Sequence, residues 1–168
     1  MKKIIFTLFL SFVVVSISAQ EAFIAPELSL AKKLEFMVAE TDGFVLSSIS
    51  YAKSEGKSVE DVASYTGKLF AELWDKDGGF NALVNGILHN IVCINGKAVI
   101  LDQSETMVKI STSAFYPYLQ KRGSLFNVTY DEYVKFHKIT METICNYLGT
   151  NSNLEIVDDN WIITIKKN

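Results

Sequence analysis

The chain has 168 residues, 49% of them hydrophobic, 21% charged and 12% aromatic, with a formal net charge of −3. Such a composition excludes a disordered chain, which buries too little apolar surface to offset its ordering entropy, and nine Gly with two Pro exclude a collagen-like fibre. The acidic balance argues against nucleic-acid partners, which need a clustered positive surface, and the length fits a single domain.

The first nineteen residues read as an address. Lys2 and Lys3 precede an apolar run from Ile4 to Val15, and Ser16-Ile17-Ser18-Ala19 supplies small residues before Gln20. That order is the pattern of a secretory signal peptide cut after Ala19. The run is too short for a membrane anchor, which needs about 20 apolar residues. Residues 1–19 are therefore expected to be removed, leaving residues 20–168 as one exported domain, periplasmic or secreted, without a later membrane span. Loss of Lys2 and Lys3 takes the formal charge from −3 to −5.

Helices are predicted first. Leu30, Leu34, Met37 and Val38 recur at helical spacing, and Phe44, Val45, Ile49 and Tyr51 continue it past Gly43. Gly56-Lys57 ends that helix, or pair of helices. Ser58 and Asp61 stand at capping-box spacing and open a second helix. Val62, Tyr65, Thr66, Leu69, Phe70 and Leu73 read as its buried stripe, with Trp74 at the edge. After Asp75-Lys76-Asp77-Gly78-Gly79, a third helix runs from Phe80 to about Val92, with Gly96 read as its left-handed stop.

Two strands follow, Ala98–Gln103 and Thr106–Thr112, then a loop over 113–127. Thr129 and Glu132 form a full capping box for a helix that ends at Gly149. A hairpin closes the chain, Leu154–Val157 and Trp161–Lys166 around Asp158-Asp159-Asn160, with Trp161, Ile163 and Ile165 on one face. The expected fold is α+β: about four helices packed on one face of a small, mainly antiparallel four-stranded sheet.

Four residues could carry metal or redox chemistry. His89 and Cys93 share a helix face, as His137 and Cys145 nearly do, but their spacing matches no zinc ribbon. Two buried free thiols are the reading taken. A Cys93–Cys145 disulfide is the alternative that export allows; it would add about 4 kcal/mol by closing a loop of roughly 50 residues. There is no Cys-x-x-Cys-His for covalent haem attachment, so His89 and His137 are read as core or surface residues rather than axial ligands. Asp75-Lys76-Asp77-Gly78-Gly79 lacks the Gly and Glu positions of a calcium loop and reads as a solvated turn. The sequon Asn127-Val128-Thr129 reads as capping chemistry. No catalytic or phosphate-binding motif is present, and no cofactor is specified.

What remains is a pocket. Phe115, Tyr116 and Tyr118 lie between the sheet and the last helix, and a cleft there would be lined by them with Trp74, His89 and Tyr133. The expected function is binding of a small apolar ligand without catalysis. Two alternatives stay open: a hydrolase-like enzyme using Cys93 or His89, and a module that binds another envelope protein through an apolar patch. Nothing sets the oligomeric state.

The run Gly56-Lys57-Ser58-Val59-Glu60-Asp61, then Gly67-Lys68-Leu69-Phe70 and Trp74, continues through Thr129-x-x-Glu132-Tyr133 and Tyr147-Leu148-Gly149 to Asp159-Asn160-Trp161-Ile162-Ile163. With the strand pair between them, these residues resemble small bacterial domains of the vinyl-reductase, haem-NO-binding and TRAPP-like type. The resemblance spans roughly 44–168 and implies an α+β fold that binds a hydrophobic or tetrapyrrole-like molecule. The metal-type cysteine cluster of vinyl-reductase domains is missing here, and no histidine maps onto a haem ligand.

Overall fold

The structure, a computed structural model, describes residues 27–95 and 97–168. The expected leader and the Gly96 helix stop lie outside those residues. Five α-helices are described: α1 Leu30–Ser54, α2 Val59–Ala71, α3 Gly79–Asn95, α4 Pro117–Arg122 and α5 Tyr130–Tyr147. The strands are β1 Val99–Gln103, β2 Met107–Ser113, β3 Ser124–Leu125, β4 Val128–Thr129, β5 Thr150–Val157 and β6 Asn160–Lys167. A 3₁₀ turn at Lys76–Gly78 joins α2 to α3.

Four strands form an antiparallel sheet in the order β1-β2-β6-β5. β6 is central, and Trp161, Ile163 and Ile165 on one of its faces are fully buried. Register places Val108 opposite Ile165, Ile110 opposite Ile163 and Thr112 opposite Trp161, so the period-two pattern of β2 meets that of β6 on the same face. Asp158 and Asp159 both have positive φ (48° and 63°), as a two-residue hairpin loop with the native strand twist requires. No helix of the described residues is long and apolar enough to cross a membrane. The class is α+β, as expected.

α5 packs between β5 and α2. Its start is the capping box expected from the sequence: Glu132 N–H donates to Thr129 Oγ1 at 3.2 Å, and Thr129 N–H donates to Glu132 Oε2 at 2.8 Å. The Ser58/Asp61 box on α2 is likewise complete. Each box satisfies backbone donors that a helix start leaves free.

The second helix buries a different face from the one expected. Its buried residues are Val59, Ala63, Gly67 and Ala71, four apart along a narrow stripe. Tyr65, Leu69, Phe70 and Leu73 are exposed, the last at 80%. Close approach explains the inversion. A Cβ on Gly67 would stand 2.6 Å from Thr143 Cβ and 3.0 Å from the Thr140 carbonyl oxygen, so only small side chains let α2 lie against α5 at this distance. α1 is one unbroken helix, and its first apolar positions, Leu30, Leu34 and Met37, are exposed as well. The loop expected over 113–127 contains α4 and β3, which pairs with β4 just beyond it. Pro117 at the first turn of α4 supplies a fixed φ suited to a helix start.

Candidate functional site

Stacking α2 on α5 through small side chains leaves the larger ones of the surrounding helices to line a half-open cavity of about 450 Å³. Thr41, Phe44, Val45 and Ser48 line it from α1, and Thr66 and Phe70 from α2. Ile87, Ile91 and Ile94 close the α3 side, and Phe136, Met141 and Ile144 the α5 side. Phe115, from the segment after β2, and Trp74, from the segment after α2, complete the wall. Gly86 sets the position of Trp74: a Cβ there would lie 2.5 Å from the indole, so only glycine lets the ring rest on α3.

Among the described residues, no Asp, Glu, Lys or Arg lines this cavity. Three of its hydroxyls spend their protons on backbone carbonyls: Thr41 on Met37 at 2.8 Å, Ser48 on Phe44 at 2.8 Å and Thr140 on Ala63 at 3.3 Å. They therefore offer lone pairs rather than donors to a ligand.

His137 is the titratable group of the wall. Its ring sits among Tyr133, Phe136, Trp161 and Phe115, with centroids 4.5, 5.5, 5.6 and 5.7 Å away. The residue is half-buried, yet its Nε2 has no solvent contact and no hydrogen-bond partner among the described residues. Burial pushes its pKa down to about 4, so the imidazole is neutral near pH 7. The haem suggested by the resemblance needs an imidazole nitrogen open to the metal. Nε2 is sealed off, so His137 as placed does not fit that role through this atom.

Of the residues singled out in the sequence, Trp74 and Phe115 line the cavity. His89 is exposed on α3, in an adjoining cleft of about 440 Å³ with Phe70, Trp74 and Ile144. Tyr116 and Tyr118 line a separate cavity of about 300 Å³ with Asp42. Tyr133 is fully buried, and its hydroxyl donates to Asp42 Oδ1 at 2.6 Å. The two cysteines are both free. Cys145 is buried, and burial pushes its thiol pKa up. Cys93 is exposed, which corrects the reading of two buried thiols: it falls off the α3 stripe of Leu83, Val84, Ile87 and Ile91 that faces the core. Among the described residues, no group of three or more His, Cys, Asp or Glu is placed to hold a metal ion.

The sequence gives Asp42 no role and reads His137 as a core or surface residue rather than a metal or haem ligand. For Asp42 a signal existed: it stands on the same helical face as Leu46 and Ile49, and a carboxylate on an apolar stripe marks a buried polar contact.

A polar depression of about 700 Å³ also runs between α3 and the β1–β2 edge, past Asn81, Asn85, Gln103 and Glu105. It lacks the apolar enclosure that retains a small molecule. Fold and cavity together define an α+β domain with a helix-lined, uncharged apolar chamber. No protein-family model matches the chain, and no curated protein matches it.

Proposed function

We propose that this protein is an exported binding domain whose chamber between α1, α2, α3 and α5 takes a small, uncharged, mainly apolar ligand. One observation carries the reading: the wall of this cavity of about 450 Å³, drawn from four helices, has among the described residues no formally charged side chain and a histidine kept neutral by burial. That size falls within the usual range for small-molecule pockets, about 300–1,000 Å³. Hydroxyl and amide groups of Thr41, Thr66 and Asn90 supply the few polar contacts that orient such a ligand. Export rests on the n-, h- and c-region pattern of residues 1–19. The hydrolase alternative has less support, because neither Cys93 nor His89 stands in the chamber wall.

Native mass spectrometry of the protein purified from its own host's envelope tests the reading. A consistent adduct of small-molecule mass, released by organic solvent, is expected. A bare chain that takes up nothing from envelope lipid extracts overturns it.

A second reading, contact with another envelope protein, is favoured by the exposed apolar side chains Leu30, Met37 and Leu73, which are 64–84% exposed. Pull-down with these three changed to Ser separates it from ligand binding, which depends on the interior of the chamber.

A further inference from the structure

Asp42 stands apart from the chamber. It is 4% exposed, and its Oδ1 accepts the Tyr133 hydroxyl proton at 2.6 Å. Its Oδ2 is buried without a hydrogen-bond partner among the described residues. Leaving a buried carboxylate oxygen without a donor is costly, and native proteins satisfy nearly all such atoms. Asp42 also lies in the wall of the second cavity, about 300 Å³, with Val38, Ala39, Tyr116, Pro117 and Tyr118.

The aromatic side of that cavity is built at a conformational cost. Tyr116 has φ 51° and ψ 64°, left-handed backbone that a bulky residue rarely adopts, immediately before Pro117. In this position its ring lies 6.0 Å from Tyr118 and 6.2 Å from Tyr133, centroid to centroid. Strain of this kind persists where the surroundings hold it, and it gathers at ligand clamps. A second carboxylate, Glu35, faces the same cavity from α1 and pairs with Lys32 at 2.8 Å. Arg122 bonds the Tyr118 hydroxyl at 2.7 Å. Tyrosine faces and carboxylates together form the chemistry that attracts an organic cation.

We propose that this second cavity binds a small protonated organic amine, whose N–H donates to Asp42 Oδ2 while its alkyl part lies against Tyr116 and Tyr118. The ammonium supplies the donor that Oδ2 lacks, and the tyrosine faces receive its remaining positive surface. Burial raises the Asp42 carboxyl pKa, and an ammonium in contact offsets that rise. The site is distinct from the apolar chamber, with which it shares Ile94 as a wall.

Titration of the full chain with n-butylammonium chloride, followed by NMR, tests the proposal, with n-butanol as the uncharged isostere. Saturable binding of the ammonium is expected, weakened about tenfold or more for the alcohol and in Asp42→Asn. Asn retains an acceptor for the Tyr133 hydroxyl, so the variant keeps the internal contact. Tyr118→Ala, at an exposed ring, weakens binding without touching Asp42. Thr66→Phe, which narrows the apolar chamber from α2, leaves amine binding unchanged, so failure of one site is distinguishable from failure of the other. Absence of saturation, or equal affinity in wild type and Asp42→Asn, overturns the proposal.

Discussion

Tyr133 and Asp42, 91 positions apart, meet in a 2.6 Å hydrogen bond that ties α5 to the middle of α1. Both residues are buried, and only one of the two carboxylate oxygens is satisfied among the described residues. Removing the donor therefore costs more than a surface hydrogen bond would. Tyr133→Phe is expected to lower stability by about 1–3 kcal/mol, read by urea denaturation. A change within experimental error would mean that the bond does not hold α1 in place.

Asp42 also makes a pH prediction. Burial raises its folded-state pKa above 3.8, and the Tyr133 hydrogen bond opposes this more weakly. The folded protein then holds this proton more tightly than the unfolded chain does. The stabilisation is full below 3.8 and is lost as pH rises through the folded-state value. Asp42→Asn does not ionise, so its stability relative to wild type should climb between acid and neutral pH. A flat difference across that range would contradict the assigned environment.

His137 carries the opposite sign. Its pKa falls from 6.5 to about 4 because the ring is buried. The unfolded chain takes up the proton first, so this stabilisation is present above 6.5 and is lost as pH falls towards 4. The full effect is on the order of 3 kcal/mol. His137→Phe should flatten this part of the profile in denaturation series over the same range. An unchanged acid slope would place the destabilisation elsewhere.

Two glycines in helices should respond in opposite directions to alanine. Gly67→Ala puts a Cβ 2.6 Å from Thr143 Cβ and 3.0 Å from a backbone oxygen. The overpacking outweighs the gain in helix propensity, for a net loss of about 1–2 kcal/mol. A Cβ on Gly43 meets nothing within 4 Å, so Gly43→Ala should gain up to about 1 kcal/mol. Thermal melts of the two variants compare them directly. Stabilisation by both would mean that α2 and α5 are not in close contact at Gly67.

Local chemistry was legible in the sequence where a short stretch decides the outcome. Ser58 with Asp61 and Thr129 with Glu132 act within one helical turn, and both boxes form as read. The alternation around Trp161, Ile163 and Ile165 gave the core face of the sheet in the same way. The face of α2 was misread because hydrophobic periodicity weights side chains by size. Burial there is decided by how closely α5 approaches, and that favours Ala63, Gly67 and Ala71 over Leu69 and Leu73. The chamber was legible only at Trp74 and Phe115, since its wall joins positions from Thr41 to Ile144 that no local pattern links. Asp42 was the missed opportunity, a charge standing on the apolar stripe of Leu46 and Ile49.

The central claim is that the apolar chamber between α1, α2, α3 and α5 holds a ligand. Titration with prodan, an uncharged solvent-sensitive fluorophore, tests it most directly when wild type is compared with Thr66→Phe, which projects a larger side chain into the chamber from α2. Saturable one-to-one binding with a blue-shifted emission is expected in wild type, weakened about tenfold or more in the variant, with the thermal midpoint unchanged. Equal binding by both proteins, or none by either, would contradict the claim.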